Sequence, residues 1–260
     1  MSAYENIDLT EARPGVWLLA IRRPQVLNAI DDPTVLEVIE ATRALRERAD
    51  AKALVWGSGE RGFCAGSDLD EVTEVGLDAD LHLRHWRLGH RMLNGIEDLP
   101  LPVIAAVSGY AMGGGTEIAL ACDMRVAGES ARFGLPEITL GAIPSWGGTQ
   151  RLPKVVGRGN ALELLLTGVP IDAAHALRIG LANRVVADDA VTESALDLAE
   201  LIAERPRGAL GSAKTLVRRG YEVDRGGGEE MELLANLDNV RDPEFAARVA
   251  KFIARRERRG

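Results

Sequence analysis

The 260-residue sequence is short of cysteine, aromatic residues and positive charge, and each shortage removes a class of protein. Its two cysteines, Cys64 and Cys122, cannot build a disulfide framework, and they read as free thiols of a reducing compartment. Aromatic residues make up 4%, so within a 46% apolar composition the core must come from Ala, Leu, Val and Ile. A formal charge of −8 argues against nucleic acid and against anionic membranes as partners. No apolar stretch approaches the ~20 residues needed to span a bilayer. The opening MSAYENIDLTEARPG has no basic region followed by an apolar run, as a secretory signal would. The expectation is a soluble, cytoplasmic protein.

Charge is nevertheless uneven. From Arg241 to Gly260, seven Lys/Arg stand against three Asp/Glu. Cations suit the last turn of a helix, which is the plain reading; the sharper one is a contact for an anionic ligand or a neighbouring subunit.

The first half alternates strand-like and helix-like segments. Val16–Ile21, Ala53–Trp56, Val103–Val107 and Met124–Ala127 read as buried strands. Asp32-Pro33 supplies an N-cap and a first-turn proline for a helix carrying Val35, Leu36, Val38, Ile39 and Leu45. A long amphipathic segment runs from about Leu77 to Asp98, and Thr116–Cys122 looks helical. After Asp172, which caps a short helix closed by Gly180, comes a last strand, Asn183–Val186. Helical patterns then cover Val191–Glu204, Ala209–Arg219, Glu229–Leu237 and the stretch after Asp242-Pro243. No repeat or linker breaks the chain, so it reads as one α/β unit with a helical end.

Gly57-Ser58-Gly59-Glu60-Arg61-Gly62 matches the dinucleotide-binding pattern G-x-G-x-x-G after a strand. It fails on context, because Phe63-Cys64-Ala65-Gly66-Ser67-Asp68 follows where a helix should open. There is no Walker A sequence, no G-x-S-x-G elbow and no zinc spacing. His82 and His85 lie three apart without a third ligand and read as a solvated helix face, so no metal is expected.

Three segments remain. Phe63–Glu71 follows a strand. Ala106–Glu117 runs from a strand through Gly113-Gly114-Gly115 into a helix. Phe133–Glu137 continues through Gly141–Gln150. Glycines at a helix start admit close backbone approach and leave N–H groups unpaired, and such groups bind developing negative charge. Two converging donors would make an oxyanion hole. Taken alone, Glu117 could simply complement the helix dipole, and Glu137 could be a surface carboxylate.

Together with Arg23-Pro24, Leu27-Asn28-Ala29, Ile179–Val186 and the terminal Lys251-Phe252, these segments resemble the crotonase (enoyl-CoA hydratase/isomerase) superfamily in order and spacing along the whole chain. The resemblance implies a spiral of ββα units, an α/β fold with the site in residues 1–195. A helical trimerisation region in 196–260 would belong to the same unit, giving a homotrimer or a dimer of trimers. It implies an oxyanion hole from the N–H groups of Ala65 and Gly114. Substrate and CoA contacts would come from Arg23, Val26, Leu27, Ala29, Gly66, Ser67, Asp68, Leu69, Gly113 and Trp146, beside Ala65 itself. Lys251 and Phe252 would help, from a neighbouring subunit if need be. Coenzyme A would arrive as part of the acyl-CoA substrate, with no further cofactor.

By the same resemblance Glu117 and Glu137 are the acids that flank the double bond of a 2-trans-enoyl-CoA during hydration. Glu117 would activate or hold the water, and Glu137 would exchange the proton at C2. Leu135 stands where hydratases often carry glutamine. Trp146 fills a place normally held by a small residue, either shortening the acyl site or packing in the core. The sibling readings are a double-bond isomerase, a specialised hydroxyacyl-CoA dehydratase, a retro-aldol lyase and an idle CoA-binding subunit.

Overall fold

The computed structural model describes residues 4–59, 61–76 and 78–257. Glu60 of the glycine turn, Leu77 at the expected start of the long helix and the last three residues of the basic terminus lie outside the described residues.

Two sheets organise the chain. The larger has the order β1 (Ile7–Arg13), β2 (Val16–Ile21), β3 (Ala53–Gly57), β4 (Val103–Val107), β6 (Met124–Gly128) and β9 (Arg184–Val186). Only the β1–β2 hairpin in it is antiparallel. The smaller sheet joins β5 (Tyr110–Met112), β7 (Arg132–Gly134) and β8 (Ile171–Asp172). Strands β3 and β4 are apolar throughout because both of their faces are covered. Leu54, Trp56, Val103, Ala105 and Val107 point into a core shared with α1 (Asp32–Glu47), α3 (Ala79–Glu97) and α4 (Gly114–Ala121). Ala53, Val55, Ile104 and Ala106 point the other way, onto Val191, Ala195 and Ala199 of α7 (Val191–Ala203).

Helix α1 begins one residue earlier than its sequence suggests. Asp31 is the N-cap, accepting from the Thr34 N–H at 2.9 Å, while Asp32 and Pro33 occupy the first turn. This frees the Asp32 carboxylate for a partner elsewhere.

The ββα repeat explains how distant segments meet. Strands β4 and β6 are each followed by a short second strand, β5 and β7, and β3 by an extended bridge at Cys64, and these stack as rungs. Cys64 bridges Ala111 of β5, and Ala111 pairs in turn with Phe133 of β7. The three segments that leave these rungs, at residues 65, 113 and 135, therefore run side by side. Gly113 donates to the Gly134 carbonyl at 2.8 Å, tying the second segment to the third. Thr116 strengthens the tie, since its hydroxyl donates to Ala111 and accepts from the Gly134 N–H.

A boundary at 195/196 would cut through α7, which packs as one piece on the sheet. The change in character comes later. Helices α8 (Arg207–Arg219), α9 (Arg225–Arg241) and α10 (Pro243–Glu257) hold no buried residue among those described. Lys214 fastens α8 to the body through Asp123 at 2.8 Å and the Leu101 carbonyl at 3.1 Å. Among the described residues no helix is long and apolar enough to cross a membrane.

Candidate active site

The three neighbouring segments carry most of the expected site residues. Gly66 and Gly114 approach so closely that a Cβ on Gly66 would stand 3.3 Å from the Gly114 nitrogen and 2.9 Å from the Met112 carbonyl oxygen. With φ at +104°, Gly66 also occupies backbone space that favours glycine. Gly114 opens α4, so its N–H has no carbonyl four residues earlier within the helix. The Ala65 N–H, by contrast, is engaged: it donates to the Leu27 carbonyl at 3.2 Å. That carbonyl belongs to a strained turn, because Leu27 and Asn28 both have φ near +57°. Asn28, fully buried, holds the turn by accepting from the Arg23 N–H and donating to the Gly62 carbonyl.

Arg23 is spent on structure. Its guanidinium pairs with Asp31 at 2.8 Å and Asp68 at 2.9 Å and donates to the Ala29 carbonyl. Asp68 in turn caps α2 (Leu69–Val75), a helix that no periodicity announced. Together with the Ile30–Ser67 bridge, these contacts clamp the Arg22–Ala29 turn onto the Ala65–Leu69 segment. Val26 is half-buried; Leu27 and Leu69 are exposed on the rim.

Glu117 lies in the first two turns of α4 and is 2% exposed. One of its oxygens, Oε1, accepts from the N–H groups of Trp146 at 2.8 Å and Gly148 at 2.7 Å. Burial pushes its carboxyl up to about 7; the Glu137 charge adds to the rise, and the two N–H donors and Arg151 oppose it. Glu137 sits on a 3-10 turn, Pro136–Leu140, and is half-buried rather than on the surface. Burial raises its carboxyl too, and its buried Oε2 has no hydrogen-bond partner. Its Oε1 would lie 3.1 Å from a Cβ on Gly113, so a side chain there would crowd the acid. Leu135, 2% exposed, packs in the core and offers Glu137 no donor.

Trp146 is the largest departure from the expected lining. The ring is 1% exposed and part of the core. Its six-membered edge abuts Gly114, where a Cβ would come within 2.7 Å, and its pyrrole edge fills the space over Gly89 of α3. A glycine inside a helix costs about 1 kcal/mol relative to alanine, and here it makes room for the indole. His85, one turn earlier on α3, tilts against the same ring at 5.5 Å between centroids.

The solvated face read for His85 is therefore wrong. His85 is 6% exposed and its Nδ1 meets the Asp32 carboxylate at 2.7 Å, the partner freed by the cap at Asp31. Periodicity could not show this, because the pairing crosses from α3 to α1. His82 is half-buried, stacked on Trp86 with its Nε2 2.9 Å from the Gly76 carbonyl oxygen. Asp32, Glu71 and His85 bring donor atoms within 4.8 Å of one another, yet these are mutually occupied, since Glu71 accepts from the Asp32 N–H.

Lys251 and Phe252 are not brought to this site within one chain. They lie on α10, which packs against α9, and Phe252 is 70% exposed. Sequence reasoning also missed Gly89 and Arg151, neither of which belongs to a recognisable local pattern, and it quoted Asn28 only within the Leu27–Ala29 segment, without the turn-holding role seen here.

Comparison with known proteins identifies the family. Residues 11–244 match the family model described as enoyl-CoA hydratase/isomerase. The chain is 39% identical to a crotonyl-CoA hydratase of Syntrophomonas wolfei, over 85% of each sequence. It is 38% identical to a short-chain-enoyl-CoA hydratase of Clostridium acetobutylicum, over 84% of each. The crystal structure of an enoyl-CoA hydratase from Bacillus anthracis superposes with a TM-score of 0.93 at 35% identity, covering 96% of this chain and 97% of that one.

Proposed function

Because this chain belongs to the enoyl-CoA hydratase/isomerase family, we propose that it adds water across the double bond of a short 2-trans-enoyl-CoA, using Glu117 and Glu137 as its acids. The observation that carries this reading is a buried carboxyl, Glu117, and a half-buried one, Glu137, beside a glycine-built donor site.

The chemistry follows from the two environments. Two peptide N–H groups offset part of the burial of Glu117, so its carboxyl stays near 7 and the charged form is within reach at neutral pH; Glu137 has a buried oxygen with no donor, and burial raises its carboxyl. A water between them gives a proton to the Glu117 carboxylate as its oxygen bonds to C3. The C2–C3 π electrons move toward the thioester, and the resulting enolate oxygen is held by the Gly114 N–H. The Ala65 N–H joins it by releasing the long bond to Leu27. Glu137 then delivers its proton to C2. The product is a 3-hydroxyacyl-CoA, and proton exchange between the two carboxyls restores the starting state.

The CoA moiety lies along the clamped Arg22–Ala29 and Ala65–Leu69 segments, with Gly113 beside the thioester. Arg23 contributes by holding these segments together. Trp146 closes the space behind Gly114 and limits the acyl chain, in keeping with the short-chain relatives. The apolar faces left open on the C-terminal helices, with Val217, Leu233, Leu234 and Phe252 exposed, suit a homotrimer or a dimer of trimers. In such an assembly Lys251 and Phe252 reach the CoA of a neighbouring subunit. The intracellular reading rests on the free thiols and the acyl-CoA substrate, and we place the enzyme in the cytoplasm.

The test is the loss of the conjugated-thioester ultraviolet band when the protein meets crotonyl-CoA, with 3-hydroxybutyryl-CoA identified as product. Measurable binding without loss of the band would transfer the assignment to a sibling reaction.

A further inference from the structure

Glu117 is held not by side chains but by the turn at Trp146–Gly148, so whatever fixes that turn fixes the acid. The turn is anchored from behind. Arg151, in the first turns of α5 (Gly148–Thr167), donates through Nη1 to the Trp146 carbonyl at 2.6 Å. Its Nη2 donates to Glu97 at 2.7 Å and Asn94 at 2.8 Å, both on α3. The side chain is nine-tenths buried, so this is an interior ion pair and not a surface decoration. Gly147 makes the reach possible. Its φ of +101° favours glycine, and a Cβ there would come within 2.2 Å of the guanidinium. A continuous line thus runs from α3 through Arg151 to the Trp146 peptide and into Glu117 Oε1.

We propose that Arg151 is a positioning residue for the hydration step, fixing through the Trp146 carbonyl the two N–H groups that hold Glu117 and setting a positive charge behind that acid. The inference rests on the reading of Glu117 as the proton acceptor. The charged and titratable groups facing Glu117 are few. Glu137 opposes its ionisation from the 3-10 turn, and Arg151 favours it from α5. On α3, Glu97 is paired with Arg151, His90 is pushed down by burial and by that same guanidinium, and His85 stands behind the Trp146 ring. The Gly148 and Trp146 N–H groups do most to offset the burial of Glu117, and Arg151 adds a cation behind them while ordering the turn that carries them.

The test uses the full-length protein with Arg151→Gln, Arg151→Lys and Glu97→Gln, measuring kcat and KM for crotonyl-CoA against pH. A second readout does not depend on turnover: carbon-13 NMR of labelled glutamate, with the Glu117 resonance assigned by its absence in Glu117→Gln. Arg151→Gln is expected to lower kcat by about 10²-fold with little change in KM, as a misplaced catalytic group does. It should also move the Glu117 midpoint upward by about one unit, the smaller end of what an adjacent opposite charge produces. Arg151→Lys should return the midpoint toward wild type while recovering only part of kcat, since one ammonium cannot make both contacts. Glu97→Gln keeps the Arg151 charge and loosens its tether, so it should lower kcat without raising the midpoint. An unmoved Glu117 midpoint in Arg151→Gln overturns the proposal, as does a uniform loss of activity matched by loss of folded protein across all three variants. If wild type fails to hydrate crotonyl-CoA, the parent reading falls, and the NMR midpoint alone then decides whether Arg151 governs Glu117.

Discussion

Glu117→Gln should stabilise the protein, and only on the alkaline side. Burial raises the Glu117 carboxyl from an ordinary 4.5 to about 7, so between these values the native state holds a proton that the unfolded chain has released. Stability therefore falls as pH rises through this window, because the folded protein must ionise a buried acid there. At ~1.4 kcal/mol per unit, the penalty reaches about 3 kcal/mol once both states are ionised. Glutamine carries no charge, and its carbonyl oxygen can still accept from the Trp146 and Gly148 N–H groups. Near pH 5 the variant and wild type should unfold at nearly the same urea concentration. Near pH 8 the variant should be more stable by up to about 3 kcal/mol, a figure that already includes the repulsion from Glu137. The assay is equilibrium urea unfolding at matched protein concentration, since association contributes to stability. An equal stability gap at both pH values, or one that favours wild type at pH 8, would refute the reasoning.

Two other perturbations read different parts of the molecule. Trp146→Ala should cost about 3–5 kcal/mol in stability as a large core deletion, and should shift preference from crotonyl-CoA toward longer enoyl-CoA thioesters; unchanged chain-length preference removes Trp146 from the acyl pocket. Cys64 and Cys122 are buried, with thiols pushed up to about 12, so a disulfide reagent should label them only as fast as the protein opens; rapid labelling of the folded protein would contradict their burial.

What the sequence shows and what it hides divide along physical lines. Strands such as Val103–Val107 are legible because a parallel strand covered on both faces must be apolar throughout. The β1 strand is missed because IDLTEAR has an exposed face and no clean alternation. Helix α5 is hidden by its own breakers, Pro153 and Gly157, the latter with non-helical φ and ψ. At the site, Gly114, Glu117 and Glu137 stand out through the resemblance to a known family, and their proximity follows from the rungs formed by Cys64, Ala111 and Phe133. His85 with Asp32, Gly89 with Trp146 and Arg151 with Glu97 could not be read in advance. Each is a contact between segments far apart in the chain, whose members are individually unremarkable.

The central claim is that Glu117 and Glu137 act as one unit on a shared water. It is tested most directly by following the crotonyl-CoA ultraviolet band with wild type, Glu117→Gln, Glu137→Gln and the double variant. Each single change should lower kcat by roughly 10²-fold or more, and the double variant should fall little further than the worse single. Losses that multiply in the double variant, or a single variant that retains near wild-type kcat, would show that the two carboxyls do not share the reaction.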